Sequence, residues 1–157
     1  MLKRIVTLLL IFSMLLLTSC HKEESADLIL RNFCGSYGLS CGRLYSTEER
    51  EGTDGYLEPQ LLTTLYGTDT RPFFQSAAVV LYADMDTLLE CGVFVCRGGA
   101  GRLYDIFETE KLLSYRIRQI RLIFPEAQGQ ILRYGNTVVY TVLPDNARAE
   151  RLFSRLL

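Results

Sequence analysis

Arg97-Gly98-Gly99-Ala100-Gly101-Arg102 is the densest chemical feature of the chain. Consecutive glycines leave backbone N–H groups uncovered, and an arginine at each end adds two fixed positive charges. Together they can hold an anion. Arg97, Gly98, Gly99, Gly101 and Arg102 are therefore candidate anion-binding residues. The run lacks the G-x-G-x-x-G spacing and the acidic partner of a dinucleotide loop. The same glycines would also serve simply to turn a strand into a helix. Thiols are the second candidate chemistry. Cys91 and Cys96 close the segment Cys-Gly-Val-Phe-Val-Cys. If that segment is a strand, its ends lie about 16 Å apart, whereas disulfide Cα atoms lie within about 7 Å. A Cys91–Cys96 bond is thus excluded. Either Cys34 and Cys41 cross to this strand, or all four stay reduced and fill space as small hydrophobes. A thiol-active protein using Cys91 or Cys96 would need an exposed, low-pKa thiolate.

Other chemistries are poorly supplied. The single histidine, His21, is close to the N-terminus in a polar stretch, so no imidazole is placed to serve a Ser-His-Asp or Cys-His arrangement. Cys34 and Cys41 have six residues between them, wider than the usual C-x2–4-C of zinc sites. Lys22 and Lys111 follow no glycine-rich loop, so a GxxxxGK[ST] phosphate cradle is absent. Asp84-Met85-Asp86 offers two carboxylates, short of the six or more oxygens that calcium takes. Glu108 and Glu110 are two apart on a helical pattern and diverge. No catalytic residue, metal or cofactor is expected.

The N-terminus gives an address. Met1-Leu2-Lys3-Arg4 is a basic start, residues 5–17 are almost wholly apolar, and Leu17-Thr18-Ser19-Cys20 follows. This is the layout of an export signal. The apolar run would span roughly 20 Å as a helix, short of the roughly 30 Å hydrocarbon core. The last four residues resemble the lipobox of bacterial lipoproteins, which implies cleavage between Ser19 and Cys20 and lipid attachment at Cys20. Two acyl chains on one glyceryl group would meet the need for two anchoring signals. The domain boundaries expected are a signal peptide over 1–19, a polar tether over 20–25 and one domain over 26–157. Removing residues 1–19 leaves 138 of 157 residues, with 15 basic against 18 acidic. That is enough for one core. It carries no basic excess for nucleic acid or for charged attraction to a membrane.

The elements that would position these residues can be read from periodicity. Residues 27–37 form an amphipathic helix behind Ser25 as N-cap, with Leu28, Ile29, Phe33 and Tyr37 inward. Residues 46–55 are a polar loop. Residues 58–67 form a short helix, with Pro59 in its first turn and Gly67 as its stop. Residues 76–83 and 90–97 are strands joined by 84–89. The long helix runs over 102–124, with Leu103, Ile106 or Phe107, Leu113, Ile117, Ile120 and Phe124 inward, and Arg116, Arg118 and Arg121 on a solvated face. Tyr104, Tyr115, Tyr134 and Tyr140 are expected at the core edge with wet hydroxyls. Residues 130–134 and 137–143 form a hairpin around Gly135-Asn136, and Asp145 or Asn146 caps a last helix ending at Leu156. The fold class is α+β: two N-terminal helices, then ββα-ββα, a mainly antiparallel four-stranded sheet with helices on one face. Ala77-Ala78-Val79-Val80-Leu81 suggests a strand covered on both sides.

With that order in place, the lipobox, the Leu65-Tyr66-Gly67 helix end and the closing run from Asn136 through Val-Val-Tyr-Thr-Val-Leu-Pro to Asp145 resemble small lipoproteins of Gram-positive bacteria. Those proteins carry the domain of unknown function numbered 4358. The resemblance covers most of residues 26–157, but not the cysteines or the glycine run. It implies fold and location and supplies no catalytic residues. The expected protein is a non-catalytic, lipid-anchored module on the extracytoplasmic face of the cell membrane. Its expected partners are the membrane, through the lipid, and an envelope protein, with no nucleic acid.

Overall fold

The computed structural model describes residues 25–39, 42–84 and 87–157. Ser19, Cys20, His21 and Cys41 lie outside the described residues, as do Met85 and Asp86 of the carboxylate pair considered above. Helix α1 spans Ala26–Tyr37. Strand β1 spans Arg43–Ser46, helix α2 Pro59–Tyr66, and a 3-10 turn Arg71–Phe73. Strands β2 (Phe74–Asp84) and β3 (Thr87–Cys96) come next, then helix α3 (Arg102–Ile123). Strands β4 (Gly129–Tyr134) and β5 (Thr137–Val142) and helix α4 (Asn146–Leu156) complete the chain.

The caps follow the sequence. The Ser25 hydroxyl accepts from the Leu28 N–H at 3.2 Å, and Gly38 ends α1 in the left-handed region at φ 84°. Pro59 opens α2, where its missing N–H costs nothing. The Asp145 carboxylate accepts from the Arg148 N–H at 2.8 Å and opens α4.

Two expectations about the sheet are corrected. It has five strands rather than four, in the order β1-β2-β3-β5-β4, all pairs antiparallel. The added strand β1 is only four residues long, and Leu44 and Tyr45 are its only large apolar residues, too short a run for alternation to register. The helices also cover both faces, so the fold is a three-layer α+β sandwich. Ala77, Val79, Phe94, Cys96, Val138, Tyr140 and Val142 pack with α2 and α3. Ala78, Val80, Cys91, Val93, Val95 and Val139 pack with α1 and α4. Strand side chains alternate between faces, and every residue of β5 is buried. That two-sided burial matches the unbroken apolar run of β2.

Two residues expected inward, Leu28 and Leu103, are exposed. Of the alternatives Ile106 and Phe107, Ile106 is the inward one, and with Leu113, Ile117 and Ile120 it forms the buried stripe of α3, while Phe107 is exposed. Apolar periodicity assigns an apolar residue to the core by type alone, and the α3 stripe is narrower than its apolar content.

Candidate functional site

Strand β3 delivers a carboxylate into the core. Glu90 shares the face of Gly92, Phe94 and Cys96 and is 1 % exposed. A buried carboxylate without partners would be strongly destabilising, and Glu90 accepts three hydrogen bonds from two residues. Arg116 of α3 donates through Nε to Oε1 at 2.8 Å and through Nη2 to Oε2 at 2.6 Å. The Tyr140 hydroxyl of β5 donates to Oε1 at 2.6 Å. Tyr140 in turn shares a 3.1 Å hydroxyl contact with Tyr66 of α2. One fork-on-fork ion pair and two phenols thus join α2, α3, β3 and β5 across a single layer of core.

The aromatic rings hold this arrangement in register. Tyr66 meets Tyr140 edge-on at 6.3 Å and Phe94 edge-on at 5.6 Å. Gly92 provides the room: a Cβ there would approach Tyr140 Cε1 to 2.5 Å and Val79 Cγ1 to 2.8 Å. Burial raises the pKa of both phenols well above the usual tyrosine value, and the Glu90 charge raises them further. Burial alone would lower the Arg116 pKa, but its hydrogen bond and charge pairing with Glu90 outweigh that and raise it. Both tyrosines stay protonated and Arg116 stays charged at neutral pH. The arrangement is a filled clamp, with protons fixed rather than poised for transfer.

Sequence reasoning placed Arg116 on a solvated face and Tyr140 at a wet core edge. Both are corrected. Arg116 falls between Leu113, Ile117 and Ile120 on the inward flank of α3, which is the signal that could have found it. Arg118 and Arg121 do face outward.

The thiols divide between the two faces. Cys96 packs under α3 beside Thr109, and burial raises its pKa. Cys91 is fully buried toward α1. A thiol hydrogen bond with Cys34 of α1 raises the pKa of Cys91, and burial adds to it. The same hydrogen bond lowers the pKa of Cys34, which is half-buried. Cys34, Cys91 and Cys96 are all free. The exposed, low-pKa character sought at Cys91 or Cys96 is therefore approached instead by Cys34.

The glycine run forms the turn from β3 into α3. Gly99 is left-handed at φ 89°, and Cβ atoms at Gly98, Gly99 or Gly101 would meet nothing within 4 Å. Arg97 donates to the Arg71 carbonyl at 3.3 Å, while Arg102 extends toward the Gly135 turn. The two guanidinium groups are thus directed to different neighbours across an open turn. Among the described residues, no three His, Cys, Asp or Glu side chains gather where a metal could bind.

Comparison of the chain with known protein families, with curated proteins and with solved structures finds no match.

Proposed function

We propose that the protein is a lipid-anchored, extracytoplasmic binding or accessory module of the cell envelope, held at the membrane through Cys20. The observation that carries this reading is the N-terminal order: basic start, short apolar run, then Leu17-Thr18-Ser19-Cys20. A two-chain lipid confines the domain to the membrane plane and raises its effective concentration for partners in that plane. The clamp supports a non-catalytic role, because its polar atoms are spent on one another. The resemblance to the Gram-positive lipoproteins supports the same address.

Intact mass of the full chain, extracted from the membrane of an expressing bacterium, tests the reading. The expected mass is that of residues 20–157 plus a diacylglyceryl group. A Cys20→Ser variant should lose the lipid and leave the membrane fraction. A lipid-free mass for the unmodified chain overturns the proposal.

A further inference from the structure

Resting on the anchor just proposed, we infer that one end of the domain lies against the bilayer, with Leu103, Tyr104 and Phe107 seated in the lipid interface. These three side chains of the first turns of α3 are 70 %, 62 % and 62 % exposed. Leu103 and Phe107 are one helical turn apart and share a face. Phe73 extends the patch, its ring edge-on to Tyr104 at 6.1 Å.

The anchor leaves the domain at this same end. The Ala26 N–H donates to the Ser76 hydroxyl at 3.3 Å, and Ser76 pairs with Val95, one residue before β3 ends. The turn that follows β3 delivers the chain into α3. The Gly135-Asn136 turn lies there too, since Asn136 accepts from the Cys96 N–H at 2.9 Å. From Cys20 to Ser25 the chain can reach at most about 17 Å. Helix α3, at 22 residues, is about 33 Å long. The tether is therefore shorter than the domain, and the end from which it emerges is the end nearest the lipid.

The chemistry of that end suits a bilayer surface. Leucine and phenylalanine can enter the acyl boundary, and a tyrosine ring can sit at headgroup level. Arg97 and Arg102 flank the patch, with stems long enough to keep their charges among phosphates. The overall charge of the chain gives no pull toward anionic lipid, so apolar insertion under a short tether is the force invoked, with the arginines as a local rim. Leu122 and Ile123 are also exposed, but they lie at the opposite end of α3, beyond the reach of this contact.

The chain has no tryptophan, so one introduced residue reports alone. Phe107→Trp, Leu103→Trp and Ile123→Trp full-length lipoproteins would be reconstituted into phosphatidylcholine–phosphatidylglycerol vesicles, with and without bromine on the acyl chains. Circular dichroism melting confirms that each variant folds. At positions 103 and 107, blue-shifted emission and at least twofold quenching by brominated lipid are expected, with little of either at 123. Equal quenching at both ends, on vesicles that carry the protein, overturns the inference. A blue shift at 107 without bromine quenching overturns it too, because the patch would then be covered by a second copy or another protein. Failure of the unsubstituted protein to float with vesicles removes the anchor itself, and the orientation with it.

Discussion

The two faces of the central sheet solve the same packing problem with different chemistry. Under α1 and α4 the core is apolar: Phe33 stacks on Phe153 at 4.0 Å, among Ile29, Leu30, Val80, Val93 and Val139. Under α2 and α3 a carboxylate, a guanidinium and two phenols stand in the middle of an otherwise similar core. The α1/α4 face is held mainly by burial and shape, with the Thr141 hydroxyl donating to Asn146 Oδ1 at 2.8 Å as a small polar element. The polar face is satisfied only when Glu90, Arg116, Tyr140 and Tyr66 meet in one geometry. The difference teaches how one sheet can be given a nonspecific side and a specific side: the first contributes burial, the second fixes the register of α3 on β3.

Breaking the comparison at its strongest points should give its largest effects. Arg116→Ala leaves the buried Glu90 without an opposite charge, with only the Tyr140 hydroxyl still donating to it, and should cost about 3–5 kcal/mol in denaturant unfolding. Phe153→Ala on the other face should cost a similar 3–5 kcal/mol, through a cavity instead of a stranded charge. The double change Glu90→Leu/Arg116→Met separates the two mechanisms. It should be less destabilising than Arg116→Ala, because it removes both charges and keeps apolar volume. A double variant weaker than the single one would show that the ion pair itself stabilises the fold.

Gly92→Ala should cost about 1–3 kcal/mol by pushing on the Tyr140 ring, and an added Tyr140→Leu should recover part of it. Alkali sharpens the contrast further. Folding holds Tyr66 and Tyr140 protonated, so their contribution is complete below the unfolded tyrosine value of 10.0 and is lost as pH rises beyond it. The Tyr66→Phe/Tyr140→Phe variant should show a shallower decline in melting temperature between pH 10 and pH 11 than the unsubstituted protein. The smallest effect concerns thiols. In native-state alkylation followed by peptide mass analysis, Cys34 should react before Cys91 and Cys96, with its onset below the ordinary thiol value of 9.0. Prior modification of Cys96 would contradict its placement under α3.

Much of the fold was legible where local chemistry decides the outcome. Ser25, Pro59, Gly67 and Asp145 mark helix ends because each satisfies or removes a specific backbone group. Ala77-Ala78-Val79-Val80-Leu81 announced a strand buried on both sides, and that run already argued against helices on one face alone. The clamp was illegible for a different reason. Glu90 and Arg116 are 26 residues apart in sequence, and each alone reads as a surface charge. Only joint placement, Arg116 among Leu113, Ile117 and Ile120 and Glu90 in phase with Phe94, brings them together. Leu28 and Leu103 failed in the opposite sense, since side-chain type says nothing about whether a helix face has a neighbour.

Strand β1 has a consequence for crowding. Open sheet edges offer unpaired backbone groups to any neighbouring chain. Here one edge is four residues long and begins at Arg43, whose guanidinium is tied to Asp54 at 3.0 Å. The other edge, β4, carries Arg133 facing outward. β1 covers Ala78–Leu81 of β2, β5 covers Glu90–Val95 of β3, and the wholly buried β5 lies between β3 and β4. A neighbouring molecule that met the β1 edge would find only Arg43–Ser46 there, with a charged side chain at its start, so that edge offers little length for an added strand.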